Sequence, residues 1–145
     1  MKYQKLIIAI VVLSAMFYSF SSKTAVAKSE NEITAKCRIL SFDEAFDSSE
    51  AVFVGKVLSE SKSGDVRSFE FEVEKYWKGA NKKKININVY ETMRYQAQFE
   101  VDERYLIYAT ANDEGKLNVG RCSRSREAES ASEDLEKLGA GKKPA

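Results

Sequence analysis

Alternating apolar and polar residues dominate the middle of the chain. Phe69, Phe71 and Val73 take turns with Glu70, Glu72 and Glu74, and Ile85, Ile87 and Val89 with Asn86, Asn88 and Tyr90. A period of two puts one set against a core and the other in water. Both runs therefore predict strands, and the three glutamates read as a solvated face. Ala51 to Leu58, short and rich in β-branched and aromatic residues, predicts another strand, with Gly55 marking a bulge or bend. Tyr105 to Ala109, led in by Phe99 and Val101, is apolar on both faces and predicts a central strand. Leu117 to Val119 begins a fifth, which reaches Cys122. Lys62-Ser63-Gly64-Asp65 and Asn112-Asp113-Glu114-Gly115 supply turns, Asn81 to Lys84 a basic connection, and residues 91–98 a loop.

Helical patterns occur only at the two ends of this region. Ser41-Phe42-Asp43-Glu44 follows the S-x-x-E capping box, and Phe42 and Phe46 share one face of a helix that ends near Ser48-Ser49. From Arg126 to Leu138, Ala128, Ala131, Leu135 and Leu138 recur at spacings of three and four, and Gly139 suits a left-handed helix end. Five short strands with helix segregated at either end predict a mainly β domain. The expected architecture is a five-stranded Greek-key barrel resembling the oligonucleotide/oligosaccharide-binding (OB) fold, and not a parallel βαβ sheet.

The first residues have another purpose. Lys2 and Lys5 precede an apolar stretch from Leu6 to Phe20 and a small-residue end, Ala25-Val26-Ala27. This is the layout of a secretory signal peptide cleaved after Ala27. Its apolar run of about 15 residues is shorter than the roughly 20 a spanning helix needs, so no stable membrane anchor is expected after cleavage. The predicted organisation is a signal peptide at 1–27, a flexible polar lead-in at 28–34, one domain at 35–139 and a mobile tail at 140–145. The protein is expected to be secreted, extracellular or associated with the cell envelope. In an oxidising compartment, the two cysteines of the chain, Cys37 and Cys122, predict a disulfide. Closing that loop would remove roughly 4–5 kcal/mol of unfolded-chain entropy.

Charge and missing residues narrow the chemistry. Cleavage removes Lys2, Lys5 and Lys23, leaving 20 basic against 22 acidic residues, a net charge of −2. That balance argues against general attraction to nucleic acid. The chain has no histidine, so neither a Ser-His-Asp nor a Cys-His pair is available, and no histidine can ligate a metal. No C-x-x-C or G-x-G-x-x-G pattern occurs, and no pair of carboxylates stands out. A non-enzymatic protein without a cofactor is expected.

The runs SFDEAFDSSEAVFVGKVLS at 41–59, VEKYWKG at 73–79, FEVDERYLIYA at 99–109 and RCSRSREAESASEDLEKLG at 121–139 resemble the bacterial tissue-inhibitor-of-metalloproteinase-like family, which is related to the netrin module. The resemblance spans roughly Ala35 to Gly139. It implies a five-stranded barrel with the last helix packed outside, and a binding domain acting as a metalloendopeptidase inhibitor. Family members typically begin Cys-x-Cys, with a further cysteine in the loop before the YLIYA-type strand. Here Ala35 occupies the first position, Cys37 the second, and the loop around Tyr95 to Ala97 has no cysteine. One family disulfide is thus absent at both ends, and the other maps onto Cys37 and Cys122. In the animal inhibitors, the amine and carbonyl of the first cysteine chelate the protease zinc. An internal amide nitrogen is a poor ligand because its lone pair is delocalised into the peptide bond. A chain starting at Lys28 therefore lacks that device, whereas trimming to Ala35 would restore an amine.

Two candidate contact regions follow. Ala35, Lys36, Cys37 and Arg38 form the expected partner-binding segment, directed at a secreted metalloprotease or another extracellular protein. Lys78, Lys82, Lys83 and Lys84 make the most basic stretch, and read either as a solvated loop or as a contact for an anionic envelope polymer. A structural exported domain with no discrete ligand also accounts for these residues. Trp77 reads as a packing residue at the barrel rim. Arg121, Arg124 and Arg126, around Cys122, read as partners for acidic side chains in exposed pairs of roughly 0–1 kcal/mol.

Overall fold

Phe53 and Val57 point into the core, while Val52 and Val54 point the other way and are equally buried, so the first strand lies between two apolar layers. The computed structural model describes residues 37–91, 97–120 and 122–145. The predicted signal peptide and lead-in, Ala35, Lys36, most of the 91–98 loop and Arg121 lie outside the described residues. The elements in chain order are α1 (Phe42–Ser48), β1 (Ala51–Ser63), β2 (Val66–Lys78), β3 (Lys84–Tyr90), β4 (Arg104–Ala111), β5 (Leu117–Asn118), β6 (Arg126–Glu127), a 3₁₀ turn (Ala128–Ser130) and α2 (Ser132–Leu138).

The strands form a ring in the order β1-β2-β3-β5-β4, with β4 returning to pair with β1. Most neighbours are antiparallel, but β3 meets β5 in parallel and only at Asn88 and Asn118. The ring is therefore not a regular barrel. β1 and β2, at 13 residues each, are longer than their sequence patterns suggest, and their pairing is irregular. The register of β1 against β2 shifts at Val52/Phe53, Val54/Gly55 and Val57/Ser59, and the middle shift falls at the glycine expected to mark a bulge. A Cβ on Gly55 would approach Glu72 O to 2.7 Å, so close strand contact requires glycine here.

Inside the ring, Phe69, Phe71, Phe99 and Tyr105 meet edge to face, with centroids 5.0–5.4 Å apart for the pairs that include Phe99. Val57, Ile87, Val89 and Ile107 complete this core. β4 is buried on both faces, as its doubly apolar sequence predicts. Its outer residues Leu106 and Tyr108 join Val52 and Val54 under Ala45 of α1 and Ala131 and Leu135 at α2. The two helices thus cover the outside of the β1–β4 pair. The strand glutamates lie in the solvated positions expected of them, with Glu70 paired to Lys84 and Glu74 to Arg104.

Three expectations change at the carboxyl-terminal end. The helix predicted from Arg126 begins only at Ser132, because Arg126 and Glu127 pair with Leu106 and Tyr105 along an edge of β4 that β5 leaves open. The fifth strand likewise stops at Asn118 and does not reach Cys122. The tail, expected to be mobile, is tied to the sheet. Lys142 and Tyr76 exchange backbone hydrogen bonds of 2.7 and 2.8 Å, and Ala145 N donates to Asn81 O at 3.1 Å.

Candidate functional site

The amino-terminal edge is built around a covalent anchor. Cys37 and Cys122 form a disulfide, with Cα atoms 5.3 Å apart. From Cys37 to Leu40 the chain belongs to neither helix nor strand. It is held instead from two sides: Arg124 Nη1 donates to Leu40 O at 3.1 Å, and Arg38 pairs with Glu44 at 2.6 Å. α1 follows directly, opened by the predicted capping box. Ser41 N donates to Glu44 Oε2 at 3.0 Å and Glu44 N to Ser41 Oγ at 3.3 Å. The Ser41 amide and hydroxyl, followed by Arg38, hold the Glu44 carboxyl below its ordinary pKa.

Arg124 reaches Leu40 because its other nitrogens are fixed. Nε donates to Asp134 Oδ2 at 2.7 Å and Nη2 to Asp134 Oδ1 at 2.6 Å. Arg126 Nη2 and Tyr108 Oη also donate to Oδ2, at 3.1 and 3.2 Å. Asp134 is fully buried. Burial opposes its charge, but the Arg124 hydrogen bond and both guanidinium charges prevail and lower its pKa. Burial, reinforced by the Asp134 carboxylate, pushes the Tyr108 phenol well above its ordinary value. Along the same stretch, hydroxyls stand in for a missing strand: Tyr108 N donates to Ser125 Oγ at 2.8 Å, and Ser123 Oγ donates to Tyr108 O at 3.2 Å.

Beside the disulfide lies an open pocket of about 270 Å³, lined by Arg38, Leu40, Ala45, Tyr108 and Cys122 among others. Next to it along the chain, Arg38 and Ile39 project outward; at 65%, Ile39 is more exposed than any other large apolar residue among those described. Of the predicted partner-binding segment, Cys37 and Arg38 are thus on this edge. Ile39 is not singled out by the sequence pattern, because it stands beside Leu40 in a segment with no helical or strand period to assign it a face.

The basic stretch does not act as a unit. Lys78 Nζ donates to Phe46 O and Asp47 O, both at 3.0 Å, and so caps the carbonyl end of α1. Lys84 pairs with Glu70 at 3.1 Å, while Lys82 and Lys83 are exposed on the β2–β3 connection. Trp77 packs against the outer cluster and donates from Nε1 to Gly139 O at 3.1 Å, a packing role as expected. Arg124 and Arg126 have an acidic partner as predicted, but a buried one. Asp134 lies three residues after Ala131 and four before Leu138, on the apolar face of the helical pattern, which was the available sign of its burial.

Among the described residues, no three Cys, Asp or Glu side chains gather into a set that could hold a metal ion. Nor is any helix among them long and apolar enough to cross a membrane. No protein-family model matches the chain, and no curated protein matches it.

Proposed function

We propose that the protein is a secreted, non-enzymatic binding module that engages a protein partner through its amino-terminal edge. The observation carrying this reading is the exposed Arg38-Ile39 pair on a segment fixed by the Cys37–Cys122 disulfide and by Arg124. A segment already held in place loses less conformational freedom on binding, and an apolar residue beside an open pocket offers surface to desolvate. The resemblance to the tissue-inhibitor-of-metalloproteinase-like family makes a secreted zinc endopeptidase the partner class to test first. The strand order β1-β2-β3-β5-β4, with β4 back on β1, supports reading the ring as an OB-like Greek-key barrel. The disulfide is compatible with an extracellular location.

The test combines two measurements on the exported, non-reduced protein. Amino-terminal sequencing fixes the mature start: Lys28 implies obstruction of a protease cleft without amine chelation, and Ala35 restores a chelating amine. Titration against secreted zinc endopeptidases should then show saturable binding that Ile39→Asp and Arg38→Glu weaken, with melting temperatures unchanged. Equal binding by the variants, or no binding to any such protease, overturns the assignment.

A further inference from the structure

A second surface, on the outside of the ring, owes nothing to the amino-terminal edge. Small polar residues line up across the strands there: Ser61 opposite Ser68, Ser68 opposite Asn88, and Asn88 opposite Asn118. Ser68 Oγ donates to Asn88 Oδ1 at 2.6 Å, which holds the amide in place. A trough of about 600 Å³ lies over Ser61, Ser68 and Asn88, with Asn81 and Asn86 also in its lining. Its walls carry three lysines: Lys82 from the β2–β3 connection, Lys84 from β3 and Lys116 from the turn before β5. Among the described residues, neither a carboxylate nor an aromatic ring lines it.

We infer that this trough binds an anionic polysaccharide. The ammonium groups match carboxylate or sulfate substituents, and the serine hydroxyls and asparagine amides match sugar hydroxyls, to which they can both donate and accept. Lys84 and Lys116 each pair with a carboxylate, Glu70 at 3.1 Å and Glu114 at 2.7 Å, in exposed pairs that a ligand exchanges at little cost. Lys82 has no ion pair among the described residues, so its charge is unspent. Single-stranded nucleic acid is the other common polyanion, but it gains much of its affinity by stacking bases on aromatic rings, and none lines this trough among the described residues. With a net charge of −2 after signal cleavage, attraction is a local property of this face and not of the whole molecule. The inference is independent of the protease reading.

The experiment titrates the exported, disulfide-intact protein with heparin, polygalacturonate, neutral dextran and single-stranded poly(dT), at low and high salt. Heparin or polygalacturonate should bind, more weakly as salt rises, and dextran should not. Heparin alone identifies sulfate as the preferred substituent, and polygalacturonate alone a carboxylate. The double variant Lys82→Glu/Lys116→Glu should lose about tenfold or more in affinity. The variant Lys56→Glu/Lys137→Glu carries the same charge change on residues outside the trough, and should lose far less. Should the first variant melt early, Lys82→Ala/Lys116→Ala replaces it. Equal losses in the two variants, binding of dextran, tighter binding of poly(dT), or no polysaccharide binding would each overturn the inference.

Discussion

Arg124 grips the buried carboxylate of Asp134 with two parallel hydrogen bonds, 2.6 and 2.7 Å long, and spends its remaining terminal nitrogen on the carbonyl of Leu40. One guanidinium thus connects α2, the segment after Cys122 and the amino-terminal edge. Removing the carboxylate leaves Arg124 and Arg126 facing a site without a counter-charge. Asp134→Asn should cost about 3 kcal/mol, in the range for a broken buried pair. Urea denaturation should show a lower midpoint with an unchanged slope.

Acid stability follows from the same carboxylate. The pKa of Asp134 is lowered in the folded state, below the unfolded value of about 3.9. Its contribution is therefore fully present above about pH 4–5 and is lost as pH falls through the folded pKa. Asp134→Asn should flatten that acid limb. Because the chain has no histidine and its described cysteines are bonded, stability should stay nearly level from about pH 5.5 to 8. At the other extreme, the raised Tyr108 pKa means that stability falls above about pH 10, where the unfolded phenol ionises first. Tyr108→Phe should shallow that alkaline limb. Denaturant midpoints measured across pH check all three statements.

The disulfide should contribute about 4 kcal/mol through the loop of 85 residues it closes. Reduction, or the Cys37→Ser/Cys122→Ser variant, should lower the melting temperature correspondingly. Intact mass of the non-reduced protein should be two hydrogens below that of the reduced chain.

Gly79 ends β2 at a φ of 62°, and a Cβ there would lie 1.9 Å from Glu50 O. Both backbone conformation and space forbid a side chain. Gly79→Ala should therefore destabilise by about 2–4 kcal/mol, whereas Gly64→Ala, with a similar φ but open space around it, should cost far less. Thermal denaturation of the two variants side by side measures the difference.

Local rules were enough for much of this molecule. Period two in Phe69–Glu74 and Ile85–Tyr90, the Ser41–Glu44 capping box, the glycine bulge at Gly55 and the Cys37–Cys122 pairing were legible because each depends on neighbours in sequence or on a choice with one outcome. Tertiary structure decided the rest. Helical spacing from Arg126 onward competed with an open edge of β4, and unpaired backbone groups beside a strand outweighed a turn and a half of marginal helix. A lysine run contiguous in sequence was divided in space, with Lys78 turned to the end of α1 while Lys82 and Lys84 joined Lys116 from a distant turn. Asp134 sits on the apolar face of the helical pattern, but only the packing of α2 on the sheet brings it to Arg124 and Arg126. Charge and periodicity are written along the chain, but which charges share a space depends on which strands close the ring, and that is fixed only by long-range packing.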